Sequence, residues 1–423
     1  LRQIFLSLRD VFTHRTIRVY LMGALGSNVG TWLQRIVVGW LVFDFTGSAA
    51  WVGIIAAAEV LPMLLFSPLA GAMMDRGDRL LYFGVSQIFG LLQAVLLAVL
   101  SLTGLLDLRW LLIAAGLLGL IEGISSPARL SIIPDIAPRN LIRSTISASS
   151  MGFNLARFIG PALGGFVLIT FNPSVAFAAN AISFLPLVYL LFLLRRARAR
   201  TAPPATAPEH GGIAAGVIHV ARSPLLAPTF LILISTSLCL RALIDLVPAI
   251  TGLWFANDPA ILAQLTSSLG LGAMVGGLWM LGRPGLAGVM SSVLSMPGVS
   301  ITAVAVLALT GANLWVAYPT LFIIGLSVVA NAIGIQSLIH LTINPAYRGR
   351  ALSLFFVVNR AFPALGAILI GFFADRIGLT ITIFGAALAA LAFWLPLWLR
   401  RQRISAHLPP EDNAATSPDT AQI

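Results

Sequence analysis

Seven ionisable side chains interrupt otherwise apolar stretches of this chain: Arg35, Glu59, Glu122, Arg157, Arg241, Asp245 and Arg360. Inside hydrocarbon each costs about 2.5–3.5 kcal/mol on insertion scales, so each needs a partner or a task. Two kinds of chemistry are open to this set. Opposite charges can pair and offset one another's burial, or a carboxylate can take up a proton on one side of a membrane and release it on the other. Arg35 and Glu59 fall at matching depths in adjacent stretches, and Glu122 and Arg157 fall near the middle of two others. Arg241 and Asp245 stand four apart on one helix face, where such pairs meet. That last pair reads first as structural, whereas Glu59 and Glu122 stay open between structure and the handling of protons or substrate. Gly119 and Gly123 flank Glu122 and are expected to leave room beside it for water or ligand. Asn28, Gln34, Asn331 and Gln336 either add to a polar cavity or bond a neighbouring helix, and Asp44 reads as interfacial.

What must position these residues is a membrane-spanning bundle. Apolar runs of about 20 residues or more, the length an α-helix needs to cross hydrocarbon, recur along the chain. They cover 18–45, 48–73, 79–104, 108–130, 143–171, 174–195, 224–251, 259–282, 286–310, 314–341, 350–374 and 379–399. The chain is 58% hydrophobic and 10% charged, a balance no water-soluble domain sustains. Lipid leaves unpaired backbone groups unsatisfied, so only helices or a closed barrel can span it. A barrel needs strands of about 10 residues with alternating polarity, and the sequence has none. The expected fold is all-α and integral to the membrane, with twelve transmembrane helices in two pseudo-symmetric six-helix halves. Spans 3, 6, 9 and 12 carry no interior charge, which places them against lipid and the others around a polar interior.

All 26 basic residues are arginine. The absence of lysine excludes a P-loop, whose lysine reaches nucleotide phosphates, and Schiff-base chemistry. Cys239 is the single cysteine and the five histidines are scattered, so no disulfide, cysteine-built zinc site or iron–sulfur cluster is expected. No cofactor and no metal are implied. With no nucleophile–base pair either, an enzyme is not expected. The net charge of +11 is a topology signal rather than a nucleic-acid footprint. Twenty arginines, Arg79, Arg143, Arg195 and Arg350 among them, fall on one side of the spans, against Arg109 and Arg376 on the other. The positive-inside rule makes the rich side cytoplasmic, with both termini inside and span 1 retained.

Residues 1–195 and 224–400 each hold six spans. Between them 196–223, rich in Ala, Pro and Thr, reads as an unstructured cytoplasmic linker, and 401–423 reads as a disordered tail. Arg143 precedes Gly164 by the same interval as Arg350 precedes Gly371, a faint sign of related halves. Two-half bundles with a midplane cavity are a transporter architecture.

Between spans 2 and 3 stands Gly71-Ala72-Met73-Met74-Asp75-Arg76-Gly77-Asp78-Arg79. It resembles the loop signature of the major facilitator superfamily. The resemblance implies that Gly71 lets helices approach closely and that Asp75, Arg76 and Arg79 form a cytoplasmic latch. Asp78 departs from the usual glycine, and Leu80 from a usual basic residue. Span 5 carries Gly160-Pro161-Ala162-Leu163-Gly164-Gly165, which is similar to the motif superfamily exporters carry in this helix. Proline removes a backbone hydrogen bond and glycines permit tight packing, so the motif implies a hinge or a leak-tight seam. Gly30-Thr31-Trp32-Leu33-Gln34-Arg35, Pro127-Ala128-Arg129 and Arg348-Gly349-Arg350 extend the resemblance, toward the branch holding the enterobactin exporter and macrolide-efflux pumps. The central-arginine motif of many proton antiporters is absent from span 4, where Gly119 and Glu122 stand.

The resemblance implies a monomeric secondary transporter of the bacterial inner membrane. It would export a small organic molecule, such as a drug, siderophore or metabolite, by alternating access, exchanged for protons. Arg35, Glu59, Glu122, Arg157, Arg241, Asp245 and Arg360 are the expected substrate and proton cavity. The arginine excess among them suits an anionic cargo. Proton-coupled uptake is the nearer alternative, and a non-transporting scaffold or sensor of the same fold is the other.

Overall fold

The computed structural model describes residues 10–197, 213–283 and 285–408. Twelve long helical segments account for most of these residues. They are α1 (Arg15–Thr46), α2 (Ala49–Arg76), α3 (Arg79–Leu102), α4 (Leu108–Ser131), α5 (Ile142–Thr170) and α6 (Pro173–Ala197). A discontinuous α7 runs from Leu226 to Trp254, followed by α8 (Pro259–Leu281), α9 (Gly285–Thr310), α10 (Leu314–Thr342), α11 (Pro345–Ile377) and α12 (Leu379–Leu399). Local chemistry sets several of the boundaries. Gly47, at φ 62°, ends α1 in the left-handed region, and the Ser48 hydroxyl then accepts the Trp51 N–H to start α2. Asp78 caps α3 in the same way, accepting the Leu81 N–H at 3.2 Å.

By length and composition, 11 of the helices among the described residues suffice to cross a membrane. The exception is α1, whose apolar run is diluted by Asn28, Gln34, Arg35 and Asp44. Sequence and structure also part over α7, expected as one regular span. It is α-helical over Leu226–Thr236, a π-helix over Ser237–Arg241, α-helical again over Ala242–Asp245, and resumes at Val247–Trp254 after a break at Leu246. Pro248 has no N–H to give the preceding turn, which accounts for the break.

The chain divides into two compact units, Leu1–Pro208 with Pro248–Ser267, and Glu209–Val247 with Ser268–Ile423. In the first, α1 packs on α5, α2 on α4 and α3 on α6. Its Tyr20, Phe83, Ile132, Ile133 and Leu187 form a buried core at the arginine-rich end. Residues 248–267 seat on α1 and α5. The Trp40 indole donates to the Asn257 carbonyl at 3.1 Å, and the Asn257 amide donates to Asp44 Oδ1 at 3.1 Å. In the second unit α9 packs on α10 and α12, and α11 packs on α7. Large apolar side chains stay exposed along α3, α6 and α12, Phe89, Leu92, Ile182 and Phe393 among them, as helices facing lipid require.

Two intervals expected to be unstructured contain helix. Ile213–Arg222, inside 196–223, is helical and packs on α11, with Val220 buried in the core of the second unit. Arg401–Ser405 forms a short helix whose Ile404 joins that core. Burial of one apolar side chain holds each segment, which composition alone does not show. Residues 198–212 and 409–423 lie outside the described residues.

Candidate functional site

The first unit gathers three of the seven intramembrane charges around one guanidinium. Arg35 of α1 donates from Nε to Glu59 Oε1 of α2 at 2.8 Å, and its Nη2 donates to the same oxygen. Glu122 of α4 reaches the other side, with Oε2 3.8 Å from Arg35 Nη2. All three side chains are only 14–17% exposed. Arg35 therefore faces two acids, and Glu122 also feels the guanidinium of Arg129 on its own helix.

The guanidinium also lies over the Trp32 ring, 4.5 Å from its centroid, and Arg157 of α5 lies over the same ring at 5.3 Å. Trp32 thus gathers two cations, a contact worth about 2 kcal/mol when desolvated. Its own indole N–H is buried without a partner. A layer further toward the arginine-rich end holds Arg129. This side chain donates to Asn28 Oδ1 at 3.2 Å and stacks on Phe153 at 4.2 Å, while its Nε is buried without a partner.

Glycines bring the acids together. An added Cβ at Gly119 would land on the Glu59 carbonyl oxygen, and one at Gly123 would sit 3.2 Å from the Met63 carbonyl. Room for water or ligand was the expectation for these two; instead α2 fills it, and the glycines bring the Glu59 and Glu122 helices into backbone contact. In the span-5 motif an added Cβ at Gly160 would sit 2.8 Å from Val29 O and one at Gly164 3.0 Å from Leu33 O, so α5 lies directly on α1. Gly165 does the same against Ala263 at the start of α8, and α5 passes through Pro161 as one helix.

Near the end of α2, an added Cβ at Gly71 would meet no atom of the described residues within 4 Å. Asp78, the departure from the signature, is used twice: it caps α3 and pairs with Arg195 of α6 at 3.3 Å. Arg79 donates to the carbonyls of Met74 and Ser131, each at 3.4 Å. The side chains of Asp75 and Arg76 lie outside the described residues.

In the second unit Arg241 is the last residue of the π segment and lines a small polar recess, whereas Asp245 is exposed one turn on. Arg360 sits half-buried on α11 beside Asn359, which lines the same recess.

Sequence reasoning missed an amide relay through the first unit. Asn180 donates to Gln34 at 2.8 Å, Gln34 to Gln93 at 3.0 Å, and Gln93 to the Ala114 carbonyl at 3.2 Å, joining α6, α1, α3 and α4. Ser27, Gln87 and Ser125 form a second such chain, with bonds of 3.0 and 2.9 Å. The available signal was the presence of Gln87, Gln93 and Asn180 in runs otherwise apolar. Among the described residues no cluster of His, Cys, Asp and Glu is arranged to hold a metal.

Two units of membrane-length helices, the first with a charge cluster sunk inside it, are those of a multi-pass membrane transporter of the major facilitator type. The chain belongs to the family of transmembrane secretion effectors, whose sequence pattern matches residues 10–418. It is 26% identical to the multidrug efflux pump Tap of Mycolicibacterium fortuitum over 387 residues, covering 88% of this chain and 92% of that protein. A shorter stretch of 164 residues is 30% identical to the staphyloferrin A transporter of Staphylococcus aureus, covering 38% of this chain and 41% of that one. The fold superposes on a bacterial homologue of the human lysosomal transporter Spinster with TM-score 0.70 at 14% identity, covering 96% and 98% of the two chains. A transporter of the POT family gives TM-score 0.72 at 11% identity, covering 92% and 97%.

Proposed function

We propose that this transporter exports a small organic molecule by alternating access, in exchange for protons. The carrying observation is the cluster in which Glu59 and Glu122 both approach the guanidinium of Arg35. Glu59 holds Arg35 by two hydrogen bonds, while Glu122 stands 3.8 Å off and is the freer acid, so Glu122 is the proton carrier in this reading. Protonation removes its attraction for Arg35, which then changes the balance between helices α1 and α4. The near full-length likeness to an efflux pump supports the outward direction. Arginines at 35, 157, 241 and 360 outnumber the acids of the set and favour an anionic cargo. The reading places the protein in a bacterial plasma membrane with the arginine-rich face and both termini cytoplasmic.

The test uses a bacterium stripped of its own efflux pumps. Expression is expected to lower accumulation of one or more members of a panel of dyes, antibiotics and siderophores, and a protonophore is expected to abolish the difference. Raised accumulation would overturn export in favour of uptake. No difference on any member, with the protein present in the membrane, would count against transport of these classes.

A further inference from the structure

One face of the first unit carries an apolar groove that the transport reading leaves unassigned. It runs between α3 and α6, with Gly84 and Ile88 on one wall and Leu185, Tyr189 and Phe192 on the other. Its volume is about 410 Å³, within the usual range of small-molecule sites. Gly84 keeps it deep: an added Cβ there would meet only Leu191, at 3.9 Å. Ile88, Tyr189 and Phe192 are exposed, so the groove is open on the side that faces lipid.

Length and charge say what fills it. From Leu185 to Arg195 the groove follows α6 for about 15 Å, half of the ~30 Å hydrocarbon core and so the depth of one leaflet. It ends at the arginine-rich end of the helices, where Arg195 lines it. Arg196 lies over the Phe192 ring, 5.2 Å from its centroid, so a second guanidinium stands at the same mouth. Asp78 Oδ2 is 3.3 Å from Arg195 Nε, and Asp78 is itself anchored by accepting the Leu81 N–H. That carboxylate orients Arg195 without exhausting it, because a guanidinium carries five N–H donors. The pair is exposed on both sides and therefore weak enough for a phosphate to join it.

We propose that this groove holds one anionic phospholipid, of phosphatidylglycerol type, from the leaflet on the arginine-rich side. An acyl chain lies along α3 and α6 over Gly84, and the phosphate accepts hydrogen bonds from Arg195 and Arg196. Basic pockets between transmembrane helices draw anionic headgroups in this way. The two arginines outnumber Asp78 at the mouth, so a choline or ethanolamine headgroup would add a cation to a site already in cationic excess. Free phosphate lacks the chain that the apolar walls match. Occupancy depends on neither the direction of export nor proton coupling.

The test takes the purified full-length protein in detergent micelles and follows lipid binding by native mass spectrometry. Dioleoyl phosphatidylglycerol and dioleoyl phosphatidylcholine are titrated separately. One phosphatidylglycerol is expected to bind with a dissociation constant about tenfold below that of phosphatidylcholine, as charge-assisted contacts confer. Arg195→Gln with Arg196→Gln, both exposed and so tolerant of exchange, should erase the preference. Arg400→Gln with Arg401→Gln, in the second unit, should keep it. Gly84→Leu, which fills the groove, should weaken both lipids; if it does not fold, the paired arginine variants decide alone. Glycerol 3-phosphate, the headgroup without chains, should not displace the lipid. Equal affinity for the two lipids overturns the proposal and leaves ordinary boundary lipid in the groove. A preference that survives loss of Arg195 and Arg196, or that loss of Arg400 and Arg401 abolishes equally, overturns it as a general effect of the basic face. Displacement by glycerol 3-phosphate overturns it in favour of a free anion.

Discussion

The arithmetic of charges around Arg35 separates two roles that look alike. Removing Arg35 leaves Glu59 and Glu122 facing each other in a half-buried site, and breaking a buried pair by deleting one partner costs on the order of 3 kcal/mol. Arg35→Met is therefore expected to lower the melting temperature of the purified protein clearly. Glu122→Gln leaves both Arg35–Glu59 hydrogen bonds intact, so its melting temperature should stay near wild type while protonophore-sensitive efflux is lost. If Glu122→Gln keeps full efflux in the pump-deficient strain, Glu122 is structural and the proton route lies elsewhere. The Arg35–Glu59 pairing was legible from the sequence, because adjacent antiparallel spans share a depth scale. The approach of Glu122 was not, since it depends on how closely α2 and α4 pack. The amide relay was half legible: Gln34, Gln93 and Asn180 announce a need for partners in lipid, but residue type alone does not say which helix supplies them.

At the scale of elements, small residues decide which helices touch. The Gly119 contact with the Glu59 carbonyl fixes both the α2–α4 distance and the backbone carrying one of the two acids. Gly119→Ala has to push α2 away, at a cost of about 1–3 kcal/mol typical of overpacking. It should reduce the folded, monodisperse yield from membranes. Gly71→Ala, where no atom of the described residues lies within 4 Å, should match wild type in the same size-exclusion measurement. Equal behaviour of the two variants would show that these backbone contacts do not limit folding. The second unit repeats the device: Gly272 and Gly325 bring α8 and α10 together against the carbonyls of Phe322 and Leu269. The spans themselves were readable to within a few residues, because hydrocarbon thickness sets their length. The π segment in α7 was not, since Ser237–Arg241 holds no proline or glycine to mark an irregular turn; only Pro248 signalled the break that follows. The helix Ile213–Arg222 escaped notice because the surrounding proline and alanine content dominated its short apolar pattern.

At the scale of the whole molecule, the proposed alternating access demands that some contact seen here come apart. The plainest candidate lies inside the first unit, where residues 248–267 seat on α1 and α5. The contact is polar at Asp44–Asn257 and Trp40–Asn257, and tight at Gly165–Ala263 and Gly252–Phe43. Hydrogen bonds at an exposed edge are individually worth about 1 kcal/mol, so this contact is suited to opening repeatedly. Asp44→Cys with Asn257→Cys, in a Cys239→Ala background, places two thiols where a hydrogen bond of 3.1 Å now joins the side chains. A short bifunctional thiol reagent should link them and stop efflux, and a reducible version of the reagent should let reduction restore it. Either single cysteine variant treated alike should keep its activity. Full efflux by the linked protein would mean that residues 248–267 travel with α1 throughout the cycle. The moving boundary would then have to lie elsewhere in the chain, with the break at Leu246 the next place to look.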